Sequence, residues 1–197
     1  MPFELDRRGV LMGLSATALV ACTTPPPAPR FPQLTFAHLP AFRLNAAQLD
    51  FVEAYKPAHG ARDVAAGMPV PPAEAARLWA NDRLWPRGPA GKIVFTITDA
   101  SVIEVPLKRR TGLRGLVTDD QSERYDGHLA VRINISDGRG GRGEVRAEVS
   151  RSRTVAENIS LNDRDGIWFE ITDEMIRDLD KELDAAIRNF LQPFLLA

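Results

Sequence analysis

The chain has 197 residues, 44% of them hydrophobic and 26% charged, ordinary values for one globular domain with a real core. A formal net charge of −1 excludes a global pull toward nucleic acid, and a single cysteine excludes an internal disulfide framework and a cysteine-built zinc site. The positive charge is nearly all arginine, with lysine only at 56, 92, 108 and 181. Arginine keeps its charge everywhere and grips carboxylates and phosphates in a fork.

Arg7 and Arg8 precede an apolar run, Gly9 to Ala21. The run is too short for a transmembrane helix, which takes about 20 residues, but it suits the apolar region of a secretory signal. Small residues crowd its end, Ser15 to Ala18, and Leu19-Val20-Ala21-Cys22 follows. This stretch resembles the lipobox of bacterial lipoproteins. The resemblance implies that residues 1–21 are a cleaved signal peptide, with Ala21 as the small residue before the cut. Cys22 is then acylated and becomes the first residue of the mature chain. A plain secreted protein cut near Ala21, or an N-terminal helix with an inert cysteine, is the alternative. Asp6-Arg7-Arg8-Gly9-Val10-Leu11 also resembles a twin-arginine export signal. Thr23 stands where an inner-membrane lipoprotein carries Asp, so the resemblance implies the periplasmic side of the outer membrane. The inner membrane and the soluble periplasm are the alternatives. Residues 22–41, beginning TTPPPAPRFP after the cysteine, read as a spacer whose prolines forbid helix and central strand. The ten residues TTPPPAPRFP, extended at about 3 Å per residue, hold the domain about 30 Å from the anchor.

A single domain is expected over residues 42–197. Residues 42–55 read as a first strand with imperfect alternation. A glycine- and proline-bearing loop follows, and Pro71 and Pro72 open a helix over 73–85, where a missing N–H costs nothing. Ala75, Leu78, Trp79 and Trp85 make its apolar stripe. Residues 92–107 form a strong strand with Ile93, Phe95, Ile97, Ile103 and Val105 on one face. Asp99 and Ser101 fall in that same phase, which points to a bulge or a polar spot. A polar connection over 108–123 leads to a strand at 124–136, where Leu129, Val131, Ile133 and Ile135 alternate with His128, Arg132 and Asn134. A glycine-rich hairpin, 137–143, returns the chain through a strand at 144–155. A long amphipathic helix closes the domain, with Ser160 as N-cap, Asp163 as its capping-box acid and Pro193 as its stop. Trp168, Ile171, Met175, Leu179, Leu183, Ala186 and Phe190 form its apolar face. The order strand, helix, three strands, helix predicts an α+β two-layer sandwich. A mainly antiparallel sheet of about four strands is covered on one face by two helices.

No G-x-S-x-G, H-E-x-x-H or Walker pattern exists, and His38, His59 and His128 lack ligand neighbours at metal spacing. Gly138 to Gly143 matches G-x-G-x-x-G, but a strand follows it rather than the helix a dinucleotide needs. Asp119, Asp120 and Glu123 form an acidic cluster near Lys108, Arg109, Arg110 and Arg114. We read this as a solvated loop, with a docking loop or a carboxylate pair for acid–base work as alternatives. Arg151 and Arg153 continue the inward phase of Val145, Ala147 and Val149. Buried arginine must be paired. Either a bulge turns them out, or they meet acids such as Asp99 or Glu170, or they line a groove for an anionic ligand. Arg151, Arg153, Lys108, Arg109 and Arg110 are thus the candidate ligand or partner contacts. Trp79, Trp85 and Trp168 read as core, and any exposed one would mark a partner surface.

The lipobox, the proline spacer and a small helix-on-sheet domain resemble compact periplasmic lipoproteins. Examples are the lipopolysaccharide-assembly lipoprotein and the auxiliary lipoproteins of lipid-transporting ABC systems. The closing stretch DRDGIWFEITDEMIRDLDKELDAAIRNFL is similar to the last helix of that group. The resemblance implies a non-enzymatic protein without cofactor or metal. It would be anchored to the membrane through lipid and engaged with an envelope protein, assisting an envelope assembly or a lipid-transport complex. Binding of a small anion, or hydrolysis of an envelope polymer through Asp119 or Asp120, are the competing functions.

Overall fold

A computed structural model describes residues 31–57, 62–107, 121–156 and 159–196, with the side chains of 121 and 122 excepted. In chain order the elements are β1 (Phe42–Leu44), β2 (Gln48–Glu53), α1 (Pro72–Arg83), β3 (Leu84–Pro86), β4 (Lys92–Pro106), β5 (Gln121–Ser136), β6 (Arg142–Ala156) and α2 (Leu161–Phe190). The main sheet has the order β2-β4-β5-β6, with β1 and β3 forming a separate two-stranded ribbon. β4, β5 and β6 make the expected antiparallel meander, while β2 joins β4 in parallel. Both helices lie on one face, and the architecture is the α+β sandwich that the periodicities predict.

The sheet's alternation explains its two faces. Ile93, Phe95 and Ile97 of β4 stand opposite Ile135, Ile133 and Val131 of β5, all buried under the helices. The register then slips between Ile97 and Asp99, so the bulge suggested by Asp99 is present. Its consequence is a phase reversal. Beyond it Ala100 and Val102 are the buried residues, and Ile103 and Val105, expected inward, are only half-buried. One extra residue on one strand moves every later side chain to the other face. Asp137 closes the hairpin by accepting from the amides of Arg139 and Gly141, with Gly138 and Gly140 at positive φ.

α2 begins as its sequence predicts: the Ser160 hydroxyl oxygen accepts from the Asp163 amide at 3.2 Å and the hydroxyl donates to the Asp163 carboxylate at 2.6 Å. Ile171, Met175, Leu179, Leu183 and Ile187 are fully buried on the sheet. Phe190, expected in that stripe, is 69% exposed. The helix ends there, and Leu191 fills the core position instead. α2 approaches β5 so closely at Gly127 that an added Cβ would lie 2.9 Å from Ile171 Cγ2 and from Met175 Sδ.

Four expectations change. The strand read over 42–55 is two strands: β1 pairs with β3, the chain crosses at 45–47, and β2 pairs with β4. The helix stops at Arg83, so Trp85 belongs to β3 and not to the helix stripe. β5 starts before residue 124 and takes Glu123 out of the loop. Residues 31–41, the end of the stretch read as spacer, run along both helices. Phe31 stacks on Phe169 at 5.0 Å, Leu34 and Phe36 are buried, and the Asp82 carboxylate accepts from the Thr35 hydroxyl and the Phe36 amide.

Candidate partner-binding surface

Cys22, Ala21, Lys108, Arg109, Arg110, Asp119, Asp120 and His59 lie outside the described residues. Arg151 and Arg153 are within them. Their register against Gly127 and Tyr125 is regular, so no bulge turns them out. They rise from the helix-covered face at the β6 edge and meet α2. Arg151 pairs with Asp178 and, at 3.5 Å, with Glu174, and Arg153 pairs with Glu174. Acid pairing is therefore the arrangement present, but the partners are not Asp99 or Glu170. They lie one and two turns beyond Glu170, because α2 crosses the sheet edge there. Asp99 is engaged elsewhere. Its carboxylate caps the bulge at the Ser101 amide and lies 3.4 Å from His128 Nδ1, whose Nε2 sits 2.8 Å from Glu148. Glu123 accepts from the Tyr125 hydroxyl at 2.9 Å and faces Arg164.

The deepest charge is one the sequence reading passed over. Arg83, at the end of α1, is 2% exposed. Its guanidinium reaches Asp180 at 3.0 Å, Asp184 at 2.8 Å and the Pro40 carbonyl, and lies over the Phe42 ring. The Trp79 indole donates to the same Asp180 at 2.7 Å. Hydrogen bonding from Arg188, joined by Arg83, holds the Asp184 carboxyl below its ordinary range against the opposing effect of burial. One cation thus ties α1, α2 and the incoming chain together. Its spacing, 97 residues from Asp180, leaves no local signature.

A second polar knot uses Tyr55. Its hydroxyl donates to Asp63 at 2.5 Å, and Asp63 also accepts from the amides of Ala65 and Val102. Burial first, then the bond to Asp63, pushes the Tyr55 phenol well up. Every polar atom of this knot is committed to holding the chain beside β4. Among the described residues no hydroxyl is hydrogen-bonded to a histidine, and no three metal-ligating side chains converge.

Apolar surface is left uncovered at the two ends of α2, where Leu161 and Phe190 are 77% and 69% exposed, and along β2 and β3. Trp85 is 43% exposed and Val52 45%, with Phe51 close behind. The exposure has a local cause. With Arg83 pinned inside and Leu84 buried, the alternation of β3 sends Trp85 outward. The Arg87 guanidinium lies over its ring at 4.9 Å. Trp85 stands as a ridge between two hollows. One, of about 440 Å³, is lined by Leu39, Ala41, Arg43 and Asn81. The other, of about 300 Å³, is lined by Leu49, Leu84, Pro86 and Arg87. β2 borders the second hollow and is paired on one side only among the described residues. Trp168, by contrast, is half-buried and packs edge-on against Tyr125, and Trp79 is in the core.

No protein-family model matches the chain, and no curated protein matches it. Solved structures that resemble it include rare lipoprotein B from Shewanella oneidensis, with a TM-score of 0.37 and 14% identity, covering 72% of this chain and 95% of that one. Another is a minor lipoprotein from Acinetobacter baumannii, with a TM-score of 0.36 and 13% identity, covering 73% of this chain and 92% of that one.

Proposed function

We propose that this protein is a lipid-anchored periplasmic lipoprotein of the bacterial envelope, held on the outer membrane through Cys22. In this reading it is not an enzyme. It assists or scaffolds an envelope assembly or a lipid-transport complex by docking a protein partner at the Trp85 rim. The lipobox and the proline spacer support the anchor. The observation that carries the docking reading is Trp85 itself, a half-exposed indole between two hollows beside a sheet edge unpaired among the described residues. Tryptophans in such settings dominate interface energies. The occupant that fits is an extended segment of the partner. Its main chain pairs with the outer edge of β2, and its apolar side chains enter the hollows.

Two measurements test this. Mass spectrometry of the mature chain should show an acylated Cys22 at the N-terminus, and a free thiol there removes the anchor. A photo-crosslinking residue in place of Trp85 should then capture a discrete envelope protein from intact cells. The same residue at exposed Glu182 on α2 should not. Equal capture at both sites sinks the rim as the docking surface.

A further inference from the structure

Four cations crowd the helix-free face of the sheet. Three adjacent rungs cross β4, β5 and β6: Lys92–Ser136–Arg142, Val94–Asn134–Glu144 and Thr96–Arg132–Arg146. Lys92, Arg132, Arg142 and Arg146 there share Glu144 and, from the neighbouring β2, Asp50. Glu144 is saturated, accepting from Asn134 at 2.7 Å and bound by Arg146 at 2.6 Å. Asp50 lies 3.8 Å from Lys92 and also accepts from Gln48. Neither Arg132 nor Arg142 has an ion-pair partner among the described residues, and the Arg132 Nε is buried without a hydrogen-bond acceptor.

This arrangement costs the fold. Arg132 and Arg146 stand directly opposite each other on neighbouring strands, and like charges so placed are destabilising. A buried donor without an acceptor carries its own penalty. Alongside them is a hollow of about 240 Å³ lined by Lys92, Val94, Asn134, Ser136 and Arg142. Lys92 and Arg142 flank it from the two strands on either side of β5. The Ser136 hydroxyl, already accepting from the Lys92 amide, keeps its hydrogen to donate.

We infer that this hollow on the open sheet face, flanked by Lys92 and Arg142 and with Arg132 two rungs along the same face, is a binding site for a phosphate-bearing anion. A tetrahedral phosphate fits between the flanking strands. It supplies the acceptors that the Arg142 fork lacks, and its charge offsets the excess of cations along the face. The site is separate from the Trp85 rim, so it stands or falls independently of partner docking. It also differs from Arg151 and Arg153, whose charge is met by α2.

The test uses the full chain carrying Cys22→Ala, so that no acyl anchor masks lipid binding. Inorganic phosphate is titrated calorimetrically at constant ionic strength. In parallel the protein is sedimented with phosphatidylcholine vesicles, with and without phosphatidylglycerol. Saturable phosphate binding identifies a free phosphate, and vesicle binding that needs phosphatidylglycerol identifies a lipid headgroup. In either case Lys92→Gln with Arg142→Gln should weaken binding at least about tenfold, the loss expected for charge-assisted bonds. Arg139→Gln, removing an exposed hairpin arginine, should change it by no more than about twofold. Lys92 and Arg142 are both exposed, and Arg142→Gln alone, which should weaken binding in the same direction, replaces the pair should it fail to fold. Binding to neither probe, or an equal loss with Arg139→Gln, overturns the inference.

Discussion

Arg83 shows how one side chain sets the geometry around it. The cation is inside because Asp180, Asp184, the Pro40 carbonyl and the Phe42 ring together replace its water. Arg83→Met keeps most of the volume and removes the charge. Two carboxylates then face each other across an apolar gap, and the carbonyl loses its donor. Taking one partner from a buried ion cluster costs about 3 kcal/mol, so the midpoint of urea denaturation should fall sharply. An unchanged midpoint contradicts the role assigned to this cluster. The titrating groups set the acid and alkaline limits of stability. Asp184, through its bond from Arg188, and Asp126, through its bond from Arg124, are held below the ordinary carboxylate value of 3.8. Their contribution is fully present above that value and disappears as pH falls through the depressed native values. Tyr55 and Tyr125 are pushed up from 10.0, mainly by burial. Their contribution is complete below pH 10 and is lost above it. Melting temperature against pH should therefore drop below about pH 4 and again above about pH 10. In Asp184→Asn the acid slope should be shallower, and an unaltered slope shows that Asp184 carries none of it.

At the scale of elements, the contact of α2 with the sheet depends on Gly127. Gly127→Ala places a methyl 2.9 Å from Ile171 and Met175, so the helix must shift. Overpacking of this kind costs about 1–3 kcal/mol, and a thermal melt should show it. Arg151 and Arg153 act on the same interface from outside. Both are more than a third exposed, and their ion pairs with Glu174 and Asp178 are screened by water. Replacing both by alanine should cost no more than about 1–2 kcal/mol and leave a folded protein. Complete unfolding of the double variant would show that they hold the helix down. β4, β5, β6 and α2 were legible in the sequence because their patterns are local: alternation at two, recurrence at three and four, a serine cap, a glycine hairpin. Even the bulge was legible, since Asp99 and Ser101 broke the phase of an apolar strand. What was not legible depends on distant partners. The break between β1 and β2 exists because β3 captures the first half of that strand and β4 the second. The exposure of Trp85 follows from the end of α1, which Arg83 sets through acids about 100 residues away. The acid partners of Arg151 and Arg153 depend on where α2 crosses β6, which no pattern within either element records.

The whole molecule has a direction, and the incoming chain gives it. Phe31 stacks on Phe169 in the first third of α2, and Pro40 reaches Arg83 beside Asp180 and Asp184 in its last third. The strap thus travels along a helix of 30 residues, about 45 Å long, in the helix's own direction. It then becomes β1, next to Trp85 and the C-terminal Leu196. The described chain enters at Phe31, at the opposite end of α2 from the Trp85 rim; if Cys22 carries the proposed anchor, this entry would put the rim on the side away from the membrane. This polarity rests on the strap staying down. Two apolar residues, Leu34 and Phe36, and two hydrogen bonds to Asp82 hold it. Asp82→Ala removes both bonds and leaves the Phe36 amide without its acceptor, a loss of about 1–2 kcal/mol from the hold on the strap. Thermolysin, which cuts before large apolar residues, should spare Leu34 and Phe36 in the folded wild-type chain and cleave there in Asp82→Ala. Strands β4 to β6 should remain intact in both. Equal cleavage in the two proteins would mean that Asp82 does not hold the strap. Cleavage at Leu34 in the wild type would mean that the strap does not fix the domain's orientation.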